Sequence, residues 1–405
     1  MSRGSRLLNN ASFLGSGAAM PLVALLTAPL IARAMSPDDR GLLALGIAWI
    51  SLGSYALALG QYDYVVHKMG VARGRLPWLH HRLTTGWLML SVAALLASAL
   101  SRSFWSLILL GAPLLMFTQY RRSQATALAF DAGLTKERWA QAFLRLTAVL
   151  LLFVIGGLTP ASALIITILA SVLASLYSFR LRNVTNSPEA AEGPGAMLRF
   201  GVAAWGASLA TALLLRVDQL LLGYLVSPGE LGVYVIAVGI SEASLLISAI
   251  LKPRLMGSIF TSGSLVLLAK YTRLLAISWP GILGVAFFTA RPLIELLYGV
   301  EYSSAWRPLL ILLVAALFII VMDLNSAAFV ALGRPRSSLA VSCLGAGLAL
   351  AVTPVAIWAW GMEGAAAATA LTYGAAAIFG RWKLSRCNAA ERPASVGATV
   401  PSVVA

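Results

Sequence analysis

The chain has 405 residues, of which 59% are hydrophobic and 11% charged, with a formal net charge of +15. Soluble domains carry roughly a quarter charged residues, so this composition excludes an ordinary soluble protein. The basic residues are scattered among short polar segments, which speaks against a nucleic-acid surface and for charge at one face of a membrane.

In chain order, apolar runs of about 20 residues recur from end to end, the signature of transmembrane helices. Arg3 and Arg6 precede the first run, and Ala32-Arg33-Ala34 resembles a signal-peptide cleavage site. The apolar stretch from Ala11 to Ala32 exceeds the roughly 7–15 residues of a signal core, so it reads as a retained span. Twelve spans follow: 11–35, 42–62, 83–101, 104–125, 139–158, 161–181, 197–226, 231–251, 270–290, 305–331, 339–359 and 363–382. The expected fold is an all-α polytopic membrane protein with six helices in each half. Residues 1–182 form the first bundle, the polar stretch 183–196 a cytoplasmic linker, 197–383 the second bundle, and 384–405 a disordered cytoplasmic tail.

All but seven of the 30 Lys and Arg fall on the face that holds the amino terminus. Arg40, Arg102, Arg291 and Arg307 lie on the other face, while Arg33, Arg145 and Arg216 lie within spans. That asymmetry predicts cytoplasmic termini. "SPDDRG" at 36–41 and "SPGELG" at 227–232 share Ser-Pro-x-acidic-x-Gly, 191 residues apart, each in the outer turn between the first two spans of its half. Two halves in the same orientation imply a parallel repeat about an axis along the membrane normal, with a path between them.

Charges inside a membrane cost about 2.5–3.5 kcal/mol each on insertion scales, so they mark cavities or partners. Arg216 and Asp218 both lie deep in the seventh span. Two positions apart, they point roughly 200° from each other, so one should face a cavity and the other a neighbouring helix. Glu242 in the eighth span is a candidate partner for Arg216 or a titratable coupling group, and Asp323 in the tenth has the same two readings. Arg33 is close enough to its loop to snorkel. Arg145 either snorkels or lines an inner vestibule. Arg121 and Arg122 read as topology signals or as phosphate attractors.

Other chemistries find no support. His67, His80 and His81 lie in one loop, no cluster has metal-ligand spacing, and no phosphate-loop motif occurs. No nucleophile with a base stands in the short outer loops, so neither an enzyme nor a cofactor is expected. Cys343 and Cys387 lie in different contexts and form no disulfide framework.

The Arg-x-Asp of the seventh span with "GVYVIAVGISE", the segment "RPLIELLYGVEYSSAWRPLLIL" at 291–312 and the opening hairpin together resemble polysaccharide-export flippases. These are O-antigen and lipid-linked-oligosaccharide translocases of the MATE-like superfamily. The resemblance implies a V-shaped pair of six-helix bundles working by alternating access in a bacterial plasma membrane. The implied cargo is a polyprenyl-diphosphate-linked oligosaccharide, with H⁺ or Na⁺ as the coupling ion and a polysaccharide polymerase and chain-length proteins as partners. Arg216 and Asp218 match the family's Arg-x-Asp. The substrate-binding candidates are Arg216, Asp218, Arg121, Arg122 and Arg145; Glu242 and Asp323 are the ion-coupling candidates. Two rival readings are a MATE-like exporter of organic cations, which would use Asp218, Glu242 and Asp323, and a membrane glycan ligase. The outer segment 291–304 offers a ligase only Arg291, Glu295 and Glu301.

Overall fold

A computed structural model describes residues 3–58, 92, 104–127, 131–176, 194–262 and 264–391. The third predicted span (save residue 92), the three histidines, most of the linker and the end of the tail lie outside the described residues. The helices are α1 (Arg3–Ala34), α2 (Pro37–Ala58), α3 (Phe104–Ala127), α4 (Asp131–Val154), α5 (Pro160–Ser175) and α6 (Pro194–Leu225). They continue with α7 (Pro228–Ala243), α8 (Leu246–Ser262), α9 (Val266–Tyr298), a 3₁₀ turn (Val300–Ala305), α10 (Trp306–Ala331) and α11 (Pro335–Glu391). The chain is a polytopic α-helical membrane protein. Six helical segments among the described residues are long and apolar enough to cross a bilayer.

Local chemistry sets most boundaries. Helices α2, α5, α6, α7 and α11 each begin on proline, whose fixed φ and missing N–H suit the first helical position. Thr159 and Ser162 form a reciprocal capping box at the start of α5. At the end of α10, Gly333 adopts φ 70°, so that Arg334 N can reach the Phe329 carbonyl at 2.8 Å.

One predicted span differs from the structure in an informative way. The eighth, read as continuous over 231–251, breaks at Ser244–Leu245. There Ser244 N and Leu245 N bond three residues back, to the Ser241 and Glu242 carbonyls at 3.1 and 2.9 Å. The Ser244 hydroxyl also donates to the Ser241 carbonyl, at 2.6 Å, and that competition tightens the turn. The last two predicted spans are two helical stretches of α11, divided where Trp360 and Gly361 leave helical geometry and Gly361 takes φ 55°, and the second stretch runs past the predicted start of the tail at 384.

The repeat is visible in the contacts. Ser36 Oγ accepts from Asp39 N at 3.2 Å, and its counterpart Ser227 Oγ accepts from Glu230 N at 3.1 Å. The two turns then pack against each other reciprocally. A Cβ on Gly41 would lie 1.7 Å from the Pro228 carbonyl oxygen, and one on Gly232 would lie 1.9 Å from that of Pro37. Only glycine permits two helix starts to approach so closely.

The apolar core has three main parts. Ile31, Leu43, Ile50, Val149 and Leu164 fill the first half, and Leu255, Trp279, Ile320 and Phe329 belong to the second. A third cluster is shared: Ala44, Leu45 and Ala48 pack with Leu222, Leu231, Tyr234 and Ile294. At the same end, Tyr302 Oη donates to the Met35 carbonyl at 3.0 Å. Arg33, expected only to snorkel, donates Nε to the Leu297 carbonyl at 2.9 Å and Nη2 to that of Leu296. It thereby satisfies carbonyls at the end of α9 that no helical turn reaches.

Candidate functional site

Two cavities lie between the halves. The first, of about 410 Å³, is bounded by α1, α4, α7 and α8, with apolar walls from residues such as Met20, Ile31 and Ile236. Three charged side chains break that lining: Arg40, Arg145 and Glu242. Glu242 closes α7 beside the helix break, so the break aims a carboxylate at the cavity. The second cavity, of about 560 Å³, lies between α2, α6, α10 and α11 and contains Arg216. Arg216 Nη1 stands 3.5 Å from Glu242 Oε1, so a single ion pair connects the linings of the two cavities.

The electrostatic balance is positive. Glu242 has Arg216 as its partner, whereas neither Arg40 nor Arg145 belongs to an ion pair among the described residues. The Nε of each is buried with no hydrogen-bond partner among the described residues. The two guanidinium groups line the same cavity. Two cations in one cavity, without carboxylate partners among the described residues, are costly unless an anion joins them. Arg40 also opposes the dipole of α2, in whose first turn it sits, so the helix itself gains nothing from it.

No protein-family model and no curated protein matches the sequence. Solved structures do. An inward-facing multidrug-resistance MATE family transporter of the MOP superfamily aligns with a TM-score of 0.64 at 14% identity, covering 93% of this chain and 96% of that one. Lipid II flippase MurJ, in an inward closed conformation, aligns with a TM-score of 0.69 at 12% identity, covering 94% and 87%. A MOP superfamily transporter from Pyrococcus furiosus, with a binding pocket of reverse polarity, aligns with a TM-score of 0.58 at 13% identity, covering 94% of each chain. The fold is that of the MOP-superfamily transporters. Both cavities sit between helices of the two halves of this fold.

Within this fold the sequence-predicted residues separate into two groups. Arg145, Arg216 and Glu242 line the cavities. Asp218, expected at the substrate, turns the other way and is enclosed in the second half. It accepts from Tyr234 Oη at 2.7 Å, Thr369 Oγ1 at 3.4 Å and its neighbour Gln219 N at 2.8 Å. Arg121 is buried within the first half, donating to Gln124 Oε1 at 2.9 Å, and lines neither cavity. Arg122 joins α3 to α4 through Glu137 at 2.7 Å and Gln141 at 2.6 Å. Asp323 pairs with Lys252 at 2.7 Å and accepts from Ser248 at 3.0 Å, fastening α10 to α8.

Arg122 and Glu137 are therefore placed as structural partners. The Glu137 side chain is 0% exposed, so Arg122→Ala should destabilise the protein by about 1–3 kcal/mol, the usual cost of removing one hydrogen-bond partner from a buried polar group. Arg122→Ala with Glu137→Gln should recover much of that loss. Thermal unfolding of the purified variants in detergent checks both; an unchanged midpoint in the single variant would refute the assignment.

Arg40 is the cavity residue that sequence reasoning missed, having been placed in an outer loop. The repeat carried the signal. Its counterpart 191 residues on is Leu231, a fully buried residue of the shared core, so the register of the turn already points position 40 inward.

Proposed function

We propose that the protein is a flippase that moves a polyprenyl-diphosphate-linked oligosaccharide across a bacterial plasma membrane by alternating access, with both termini cytoplasmic. One observation carries the reading: Arg40 and Arg145 stand together, without carboxylate partners among the described residues, in an apolar-walled cavity between the bundles. A diphosphate supplies the missing anions, and guanidinium forks match phosphate oxygens. Lipid in the cargo suits the apolar walls. An organic cation would require a cavity of net negative charge, and Glu242 is already matched by Arg216. The coupling ion on this reading is H⁺ or Na⁺, with Glu242 the exposed carboxylate best placed to exchange it and Asp323 the second candidate. Polymerase and chain-length proteins are the partners that would take up the delivered glycan.

The test is surface glycan in a strain that lacks the protein. Loss of surface polysaccharide together with build-up of lipid-linked precursor inside the cell is expected, and the wild-type protein should reverse both. Normal surface glycan with raised sensitivity to cationic drugs would replace this reading with drug export.

A further inference from the structure

Serine and threonine hydroxyls in helices commonly donate to a backbone carbonyl three or four residues back, which hides them from other partners. This chain does so widely. Thr27 donates to Val23, Ser54 to Ser51, Ser171 to Thr167, Ser248 to Leu245 and Thr372 to Thr369. Part of the second cavity's lining departs from that habit. Ser51 of α2 and Ser338 and Ser342 of α11 line it together, and none of the three hydroxyls makes a hydrogen bond to a described residue. They converge from different helices on the space that also holds Arg216. Both of that arginine's contacts, to Glu242 and Gln219, run through Nη1. Much of its donor fork thus remains available.

The donor set narrows the ligand. No carboxylate among the described residues lines this cavity, so a cation gains little from them. A hydrocarbon tail would strand the hydroxyls. A bare phosphate would find stronger sites in the first cavity, where two unpaired guanidinium groups stand. What fits is a neutral group rich in hydroxyls, because a serine hydroxyl both donates and accepts, as a sugar hydroxyl does. A cavity of about 560 Å³ is in the range that encloses a ligand of one or two sugar rings.

We propose that the second cavity is a sugar subsite, in which Ser51, Ser338, Ser342 and Arg216 hold a neutral sugar residue of the cargo. The subsite rests on the flippase reading above, in which Arg40 and Arg145 hold the diphosphate in the first cavity. The Arg216–Glu242 pair then stands where phosphate and sugar meet, and its separation admits both at once.

Binding to the purified full-length protein in nanodiscs tests this with two probes, a polyprenyl diphosphate and the same lipid carrying one N-acetylglucosamine. The sugar-bearing probe should bind wild type about tenfold more tightly, as two or three net hydrogen bonds would give. Ser51→Ala/Ser338→Ala/Ser342→Ala should abolish that gain while binding the bare diphosphate within about twofold of wild type. Ser338→Ala alone, in case the triple variant does not fold, should lose about threefold of the gain. Equal binding of both probes to wild type, or a gain that survives the substitutions, overturns the sugar subsite and leaves the diphosphate reading standing. Failure of wild type to bind either probe overturns the flippase reading and the subsite with it.

Discussion

Arg40→Gln and Arg145→Gln should each lower transport of the lipid-linked diphosphate at least tenfold, and together about a hundredfold or more. Each substitution removes charge-assisted hydrogen bonds of about 1.5–3 kcal/mol to phosphate, and 1.4 kcal/mol is a factor of ten. Stability should move the opposite way. The two guanidinium groups share one cavity, and their buried Nε atoms have no hydrogen-bond partner among the described residues. A neutral side chain relieves that strain, so the double variant should unfold at an equal or higher temperature than wild type. A flipping assay in proteoliposomes with matched protein, paired with thermal unfolding in detergent, reads both quantities. Undiminished flipping by the double variant would remove these arginines from the substrate path. A fall in both transport and stability would make them structural.

The second large effect belongs to the contact between the two turns. Gly41→Ala places a methyl carbon 1.7 Å from the Pro228 carbonyl oxygen, and Gly232→Ala one 1.9 Å from that of Pro37. Each obstacle is backbone at the start of a helix, so no side chain can move aside. The halves must separate at this end, loosening the shared core around Leu45, Leu231 and Tyr234. Overpacking of this kind costs about 1–3 kcal/mol or more. Because the contact is reciprocal, the two substitutions should have similar effects, and combining them should cost less than their sum, since one separation relieves both clashes. Gly284 supplies the control. A Cβ there meets nothing within 4 Å, so Gly284→Ala should be neutral or slightly stabilising through helix propensity. Unfolding midpoints of the four variants decide the matter. A Gly41→Ala protein as stable as the Gly284→Ala control would show that the turns do not hold the halves together.

Several features were legible in the sequence because they depend on neighbours along the chain. Apolar runs of span length, prolines at helix starts and the Ser-Pro turns are local signals, and they anticipated the helices and the repeat. Position along the helix was legible too, since counting residues places Arg216 and Asp218 well inside α6, short of its end at Leu225. Helix breaks were harder. The interruption after Glu242 comes from serine hydroxyls competing for backbone carbonyls, and an unbroken apolar run conceals it.

What no local signal could decide was which way each charge faces. Arg216 and Asp218 are equally deep and equally polar. Tyr234, on the next helix, claims Asp218 for the interior of the second half, and the ion pair with Glu242 draws Arg216 to the cavities. Arg122 and Arg145 likewise differ in their surroundings rather than their sequence context: a buried glutamate on α4 binds the first, and the second faces open space. Arg40 lay hidden beside a turn until the packing of two distant halves enclosed it. The sequence by itself determined that charges are buried and how far along each helix they lie. Only the tertiary structure decided which of them meet a partner and which meet a cavity, because a side chain's partner is set by the rotation of one helix against another.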